Sequence, residues 1–415
     1  MTSRGTTAET GMETAGKESM PHRLLLLALA LGAFSIGTDS LIISGLLGEI
    51  AADLDVSEAT VGQLISVFAL VYAAGAPVLA TVTAALNRKR LLQGALTVFV
   101  LANLLGAVAP NYAVLMASRV LAALAAGLYL PCAIMITVSV APQQWRGRAL
   151  AVVVGGMSAA TALGIPLGTL VGAVGGWRLA LLLVAALAAA AVAVLAGVLP
   201  YVPTQAAVTI RQRITAATHP MVLIALLTNV LACAGEFAVV IYVAPLAMQL
   251  TGVEAAGVSA FLLVSGMAAV AGSALGGRAA DRFGGRRAYG GAVVLLFTGL
   301  LAMVLLAVAA PRNAPGTTFA FALCLCVVSV ASWALPPAQN HLISGLDIPE
   351  PTVALSLNGS SSYLGLALGG ALGGLALEHG SITTLTLTGA AIELLALVTV
   401  VLAAALARQR RTAGR

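Results

Sequence analysis

LLLLALALGAFSIGTDSLII, residues 24–43, is the stretch on which the fold turns. In these 20 residues the one ionisable side chain is Asp39. A bilayer core about 30 Å thick needs roughly 20 apolar residues of helix to cross it. A helix packed on one side of a soluble domain would show a polar stripe, and this stretch has none. It therefore reads as a membrane span.

Runs of the same kind follow along the chain, near 24–46, 60–82, 91–109, 113–138, 149–171, 177–199, 221–247, 257–278, 288–309, 318–340, 352–376 and 381–406. The natural partition is twelve helices and an all-α membrane protein. Composition agrees. Of 415 residues, 60% are hydrophobic and 9% charged, with a mean hydropathy of +1.03. A soluble domain carries roughly 25% charged residues, so too little charge is present here to face water.

The net charge of +6 does not indicate nucleic acid, because the basic residues are scattered between apolar runs without a stacking aromatic face. Cys132, Cys233, Cys324 and Cys326 all lie in apolar runs and read as packing groups, without the spacing of a zinc site. Residues 1–22 are polar and read as a disordered tail. A signal peptide is the competing reading, but no small-residue cleavage site closes the apolar stretch at the right length.

Lys and Arg set the orientation. With the N-terminus cytoplasmic, 18 of the 21 basic residues fall on the inside, leaving Arg178 and Arg312 outside and Arg119 within a span. Both termini are then cytoplasmic, and an odd number of spans would spoil the asymmetry.

The chain also repeats itself. Gly164, Gly168 and Gly172 recur 201 positions later as Gly365, Gly369 and Gly373, and Asp39 has a counterpart 197 later in Glu236. Arg88-Lys89 answers Arg286-Arg287, 198 later. Two pseudo-symmetric six-helix halves, 23–200 and 220–407, are expected around a linker at 201–219, with a short cytoplasmic tail at 408–415. Repeated halves with a site between them are a common transporter plan.

Several motifs carry a resemblance. GGRAADRFGGRR (276–287) is similar to the loop motif G-x-x-x-D-R-x-G-R-R of the major facilitator superfamily. GIPLGTLVG (164–172) resembles the antiporter glycine-proline motif, and Arg119 in RVLAALAAG (119–127) resembles the fourth-span arginine motif. GTDSLIISGLLGEIAADL (37–54) and LNRKRLL (86–92) look like the twelve-span drug:proton antiporter branch, which includes bacterial chloramphenicol and arabinose exporters. Departures exist: Thr83 stands where the first-half loop motif would carry its aspartate, Ala122 and Ala123 replace a glutamine and a glycine, and Gly48 replaces a frequent proline.

Charges at mid-membrane cost roughly 2.5–3.5 kcal/mol each even on insertion scales, so each is a functional candidate. At about 1.5 Å per residue, Asp39 and Glu236 both lie roughly 24 Å from their helix starts, and Arg119 lies at a similar level. All three are expected to face one cavity, with Asp39 or Glu236 binding the coupling proton and Arg119 tuning it. A purely structural Asp39–Arg119 pair is the competing reading. Asn229, Cys233 and Glu236 share a helix face and, with Tyr242, line that cavity or form a buried hydrogen-bond cluster. Glu393 reads as an acid hydrogen-bonded to a neighbouring helix.

Around the loop, Asp281 is expected to hold Arg282 or Arg286, or to sit at a helix N-terminus. The resemblance implies a gate built from Gly277, Asp281, Arg282, Gly284, Arg286 and Arg287. The ladder at Gly164, Gly168 and Gly172 lets a neighbouring helix approach closely, Pro166 bends its span, and the resemblance associates this motif with antiport.

No nucleotide, metal or nucleophile motif is present, so no cofactor and no enzyme is expected. The implied function is proton-coupled efflux of a small lipophilic or amphiphilic compound such as an antibiotic, by a monomer in a bacterial cytoplasmic membrane. Sugar export, small-solute import and, remotely, a membrane-embedded enzyme are the alternatives. Sparse polar groups in the spans suggest a largely apolar cavity.

Overall fold

The computed structural model describes residues 9–83, 86–200, 218–311, 313–346 and 351–413. Twelve helices among them are long and apolar enough to cross a membrane. The first half comprises α1 (Glu9–Leu41), a short α2 (Leu47–Leu54), α3 (Glu58–Val82), α4 (Arg88–Ala107), α5 (Tyr112–Val140), α6 (Arg146–Ala159), α7 (Ile165–Gly175) and α8 (Trp177–Val198). The second comprises α9 (Pro220–Val240), a short α10 (Val243–Thr251), α11 (Ala255–Phe283), α12 (Gly285–Ala309), α13 (Pro315–Ser344), α14 (Pro351–Glu378) and α15 (Ile382–Ala413). Every regular element among the described residues is helical, and α6 and α7 together make one span.

Ends are marked by residues suited to them. Ser57, Asn87 and Asn111 cap α3, α4 and α5 by accepting a backbone N–H. Pro220 and Pro315 open α9 and α13, where a missing N–H costs nothing. Alternation of direction gathers Arg23, Arg88–Arg90, Arg146, Arg148, Arg278 and Arg282–Arg287 at one end of the bundle, here called the basic end.

Three local differences from the sequence reading have clear causes. The seventh span stops at Val240 rather than running on to 247, and α10 follows after a break at Ile241–Tyr242. Pro245 would clash with the carbonyl of Ile241 in a continuous helix. The first span breaks likewise after Leu41, through a 3-10 turn at Ile42–Gly45, into α2. Both halves thus place their buried acid just before a break. Third, residues 9–22 are helical, although a disordered tail was expected over 1–22. The Glu, Met, Ala and Lys of 9–20 are good helix formers. The linker segment 201–217 lies outside the described residues.

The glycine ladders explain the packing within each half. A Cβ on Gly164, Gly168 or Gly172 would run into Thr38, Ile42 or Leu46 of the first span. Gly365 and Gly369 lie equivalently against α9, where a Cβ would stand 2.6 Å from the Val230 carbonyl oxygen and 2.5 Å from that of Ala234. The first ladder meets side chains and the second meets backbone. Gly369→Ala is therefore expected to destabilise by about 1–3 kcal/mol, as overpacking against a rigid backbone does. Gly168→Ala displaces only the end of Ile42, at about 0.5–1.5 kcal/mol for a strained rotamer. Thermal unfolding of the two variants in detergent checks the order.

The halves meet along two seams. In one, α3 lies against α14, with Ser66 and Gln63 packed on Gly370 and Gly374, Tyr242 on Gly62, and Tyr72 stacked on Tyr363 at 3.8 Å between ring centroids. In the other, α11 crosses the turn between α6 and α7, where a Cβ on Gly266 would lie 2.5 Å from the Ala162 Cα. That turn, Ala160–Gly164, is a π-helix. It surrounds Ala162, the carbonyl that Pro166 would oppose in a regular helix. Most of these contacts lie towards the end of the bundle opposite the basic one.

That far end carries its own clasp. Glu49 accepts the backbone N–H of Trp177 at the start of α8 (2.8 Å), and Asp53 accepts from Arg178 (2.6 Å) and the Trp177 indole (3.2 Å). Arg178 also reaches the Ala109 carbonyl at 3.1 Å. The hydrogen bond from Arg178 holds the Asp53 carboxyl below its ordinary value. A lowered folded-state value means the contribution is present above the ordinary carboxylate range and disappears as pH falls through the lowered value. Asp53→Asn is thus expected to lower the thermal midpoint slightly at pH 7 and to leave it unchanged in strong acid. The effect is small because the pair is about 40% exposed.

Candidate functional site

A cavity of roughly 210 Å³ lies between the two halves. The first half contributes Leu41 and Ser44, just before and within the first-span break, and Thr161 and Ile165 at the π-turn. The second half contributes Asn229, Cys233, Glu236 and Phe237 from α9, Ser265 from α11, Ser329, Ser332 and Trp333 from α13, and Ser362 from α14. The expected shared face of Asn229, Cys233 and Glu236 is present. Glu236 is the sole charged group lining this cavity among the described residues.

The wall is largely apolar, as expected, with a small set of hydroxyls and one amide gathered around Glu236. The Asn229 amide donates to Ser361 and Ser362, each at 2.8 Å, and the Ser265 and Ser329 hydroxyls are 2.7 Å apart. Ser332 lines the cavity together with Glu236. These serines are dispersed one or two at a time over three helices, so each span still reads as apolar. Only the fold collects them.

Asp39 and Arg119 come together as a buried pair, Arg119 Nη1 donating to Asp39 Oδ1 at 2.7 Å. Arg119 Nη2 donates to Asn103 Oδ1 at 3.1 Å. Asp39 Oδ2 and Arg119 Nε have no hydrogen-bond partner among the described residues. The expectation of one cavity for all three charges does not hold. Asp39 is turned about 200° around the helix from Leu41, by 100° per residue, so when Leu41 lines the cavity Asp39 faces α4 and α5. Asn103 was missed at the sequence level, although an amide in the middle of the apolar run 91–109 was a usable signal.

Tyr242 is not at the cavity either. Its hydroxyl donates to the Gly370 carbonyl at 2.8 Å, and its ring fills the space over Gly62, so it belongs to the seam between the halves. Glu393 departs from expectation more sharply. It is fully buried, yet neither carboxyl oxygen has a hydrogen-bond partner among the described residues.

The loop motif lies at the basic end. Asp281 is exposed in the last turn of α11, not at a helix N-terminus, and no ion pair joins it to Arg282 or Arg286 among the described residues. Gly284, at φ +82°, makes the turn into α12, a backbone geometry suited to glycine. Arg286 donates to the Ala403 carbonyl at 3.1 Å, and Arg282 stacks on Phe283. Gly276 and Gly285 rather than Gly277 are the close-approach glycines, both lying against α13.

Twelve candidate membrane spans packed around an internal cavity are the architecture of a polytopic membrane transporter. The sequence pattern of the Major Facilitator Superfamily matches residues 29–346 and 224–415, and the chain belongs to that family. It is 33% identical over 355 residues to the inner membrane transport protein YdhP of Escherichia coli (strain K12), covering 86% of this chain and 89% of that one. It is 34% identical over 267 residues to a chloramphenicol resistance protein of Streptomyces lividans, covering 63% of this chain and 68% of the relative. Among solved structures, a bacterial homologue of the human lysosomal transporter Spinster, in an inward-facing and unoccupied conformation, superposes with a TM-score of 0.70 at 17% identity. That match covers 93% of this chain and 96% of the other. The chain is a transporter of a bacterial type and not an enzyme.

Proposed function

We propose that this protein is a proton-coupled exporter of a small lipophilic or amphiphilic compound, working as a monomer by alternating access. The observation that carries the reading is Glu236, a carboxyl in the cavity between the halves with no opposing cation lining that cavity among the described residues. An ionised carboxylate there is costly unless a cation or a proton neutralises it. Proton and solute therefore compete for one charge, which is the basis of antiport. The same feature favours neutral or cationic solutes over phosphorylated ones, which would call for buried Arg or Lys. The similarity to a chloramphenicol resistance protein supports an antibiotic among the candidates.

The protein works in the cytoplasmic membrane of a bacterium, with the basic end and both termini inside, by the positive-inside bias. With the far-end seams closed, the cavity then faces the cytoplasm, as an exporter awaiting its load requires. Asp39 and Arg119 form the charged centre of the first half, and Tyr363 of the second half, stacked on Tyr72, lies within electrostatic reach of Asp39. Gly277, Asp281, Arg282, Gly284, Arg286 and Arg287 form a gate at the basic end. Asp281, exposed and free of an ion pair among the described residues, is available to meet a basic group of the other half when that end closes.

Sugar export is the second reading, favoured by the serine hydroxyls around the cavity. Energised inverted vesicles decide between them. Addition of a panel of antibiotics and sugars is expected to release protons for one chemical class. Equal silence to every compound, with a solute nonetheless moving down its gradient, would overturn the coupled reading.

A further inference from the structure

Glu393 is the one ionisable side chain of the last span before its basic tail, and it is 0% exposed. Neither oxygen finds a hydrogen bond among the described residues. Its setting is specific. Gly235 of α9 and Gly389 of α15 bring the two helices together, and a Cβ on Gly235 would stand 2.8 Å from Glu393 Oε2 and 3.0 Å from the Glu393 backbone nitrogen. The carboxyl thus lies against bare backbone one residue from Glu236. Glu236 faces the central cavity from one side of α9, and Glu393 sits behind it within electrostatic reach.

The other titratable neighbours are few. Cys233 of α9 and Tyr289 of α12 lie within electrostatic reach of Glu393. On α14, Tyr363 is stacked against Tyr72, and Glu378 lies at the far end near Tyr242. No basic residue appears in this set. Desolvating a lone carboxylate without a cation or hydrogen bonds costs several kcal/mol or more, whereas a neutral acid meets a far smaller penalty. Towards the basic end, a cavity of roughly 70 Å³ is lined mainly by apolar side chains, with Thr228, Arg286 and Tyr289 as its polar members. It exceeds the ~10–15 Å³ that a water molecule requires, and the Tyr289 hydroxyl is itself buried without a partner among the described residues.

We propose that Glu393 is a second proton-binding site of the C-terminal half, electrostatically coupled to Glu236 through the gap left by Gly235. The ligand is a proton, reaching Glu393 from the basic end beside Tyr289 rather than through the central cavity. Two negative charges this close in a poorly screened interior disfavour each other, so ionising one acid holds the proton on the other. The pair titrates as a unit. Solute binding at Glu236 is then felt at a group the solute never touches.

This extends the proton-coupled reading above, and the test is independent of transport. Infrared spectra of the full chain in lipid nanodiscs at pH 7 are expected to contain the carbonyl band of a protonated carboxylic acid, lost in Glu393→Gln. A difference spectrum without that band overturns the proposal. Should Glu393→Gln fail to fold, Glu236→Gln protein carrying ¹³C-carboxyl glutamate decides, because Glu393 is then the one fully buried glutamate among the described residues. A labelled protonated-acid band at pH 7 supports the site, and its absence overturns it. Coupling predicts that the band titrates at higher pH in wild type, where Glu236 carries charge, than in Glu236→Gln. Identical titration removes the coupling. A transporter that proves uncoupled to protons would still give these spectra, so the two readings fail separately.

Discussion

Arg119→Leu is expected to lower stability by about 3–5 kcal/mol, the range for breaking one partner of a buried ion pair. The guanidinium is 1% exposed and joins Asp39 on the first span to Asn103 on α4. Removing it leaves a buried carboxylate with no cation paired to it among the described residues. Removing both charges, as in Asp39→Asn with Arg119→Gln, is expected to recover much of that loss, because no uncompensated charge remains. Thermal unfolding of detergent-solubilised protein, together with membrane expression level, reads both effects. Recovery of the fold without recovery of transport in the double variant would assign the pair a role in the cycle. Full recovery of both would make it purely structural.

Glu236→Gln is expected to have the largest effect on function. The substitution keeps the size and hydrogen-bonding capacity of the side chain, while removing the one titratable charge lining the central cavity among the described residues. Fold and solute access to both sides should survive. Driven accumulation should fall to background, because the solute no longer displaces a proton. The expected pattern is therefore solute exchange between equal pools at wild-type rates, without response to an imposed pH gradient. Loss of exchange as well would place Glu236 in solute binding rather than in coupling alone. An undiminished response to the gradient would remove it from the mechanism.

Hydropathy made the spans legible, since a run long and apolar enough to cross a bilayer has few alternative fates. The spacing of the repeated glycines made both close-packed ladders legible as well. Asp39 and Arg119 were placed at one level by helical rise alone, and they do meet. What was lost is azimuth. Level along a helix follows from residue number, but the face a side chain presents depends on which neighbours surround it. Asp39 consequently turned out to look into its own half rather than into the shared cavity.

The break before α10 had a signal, Pro245, that an apolar run concealed. Asn103 and the scattered serines were visible one by one but had no meaning until the helices were assembled. Glu393 was read as a satisfied acid because most buried acids are hydrogen-bonded. Its orphaned oxygens follow from two glycines, Gly235 and Gly389, that lie far apart in sequence and admit backbone where a partner would otherwise stand. The motif spacing selects Gly277, four residues before Asp281, whereas packing against α13 shows that Gly276 is the one needed bare.

The most direct test of proton-coupled export uses the purified wild-type protein in liposomes with an acidic lumen and the candidate solute outside. Solute accumulation above the external concentration, with matching proton loss from the lumen and collapse of both on adding a protonophore, is the expected result. Solute that only equilibrates across the membrane, at a rate and to a level indifferent to the pH gradient, would contradict the account.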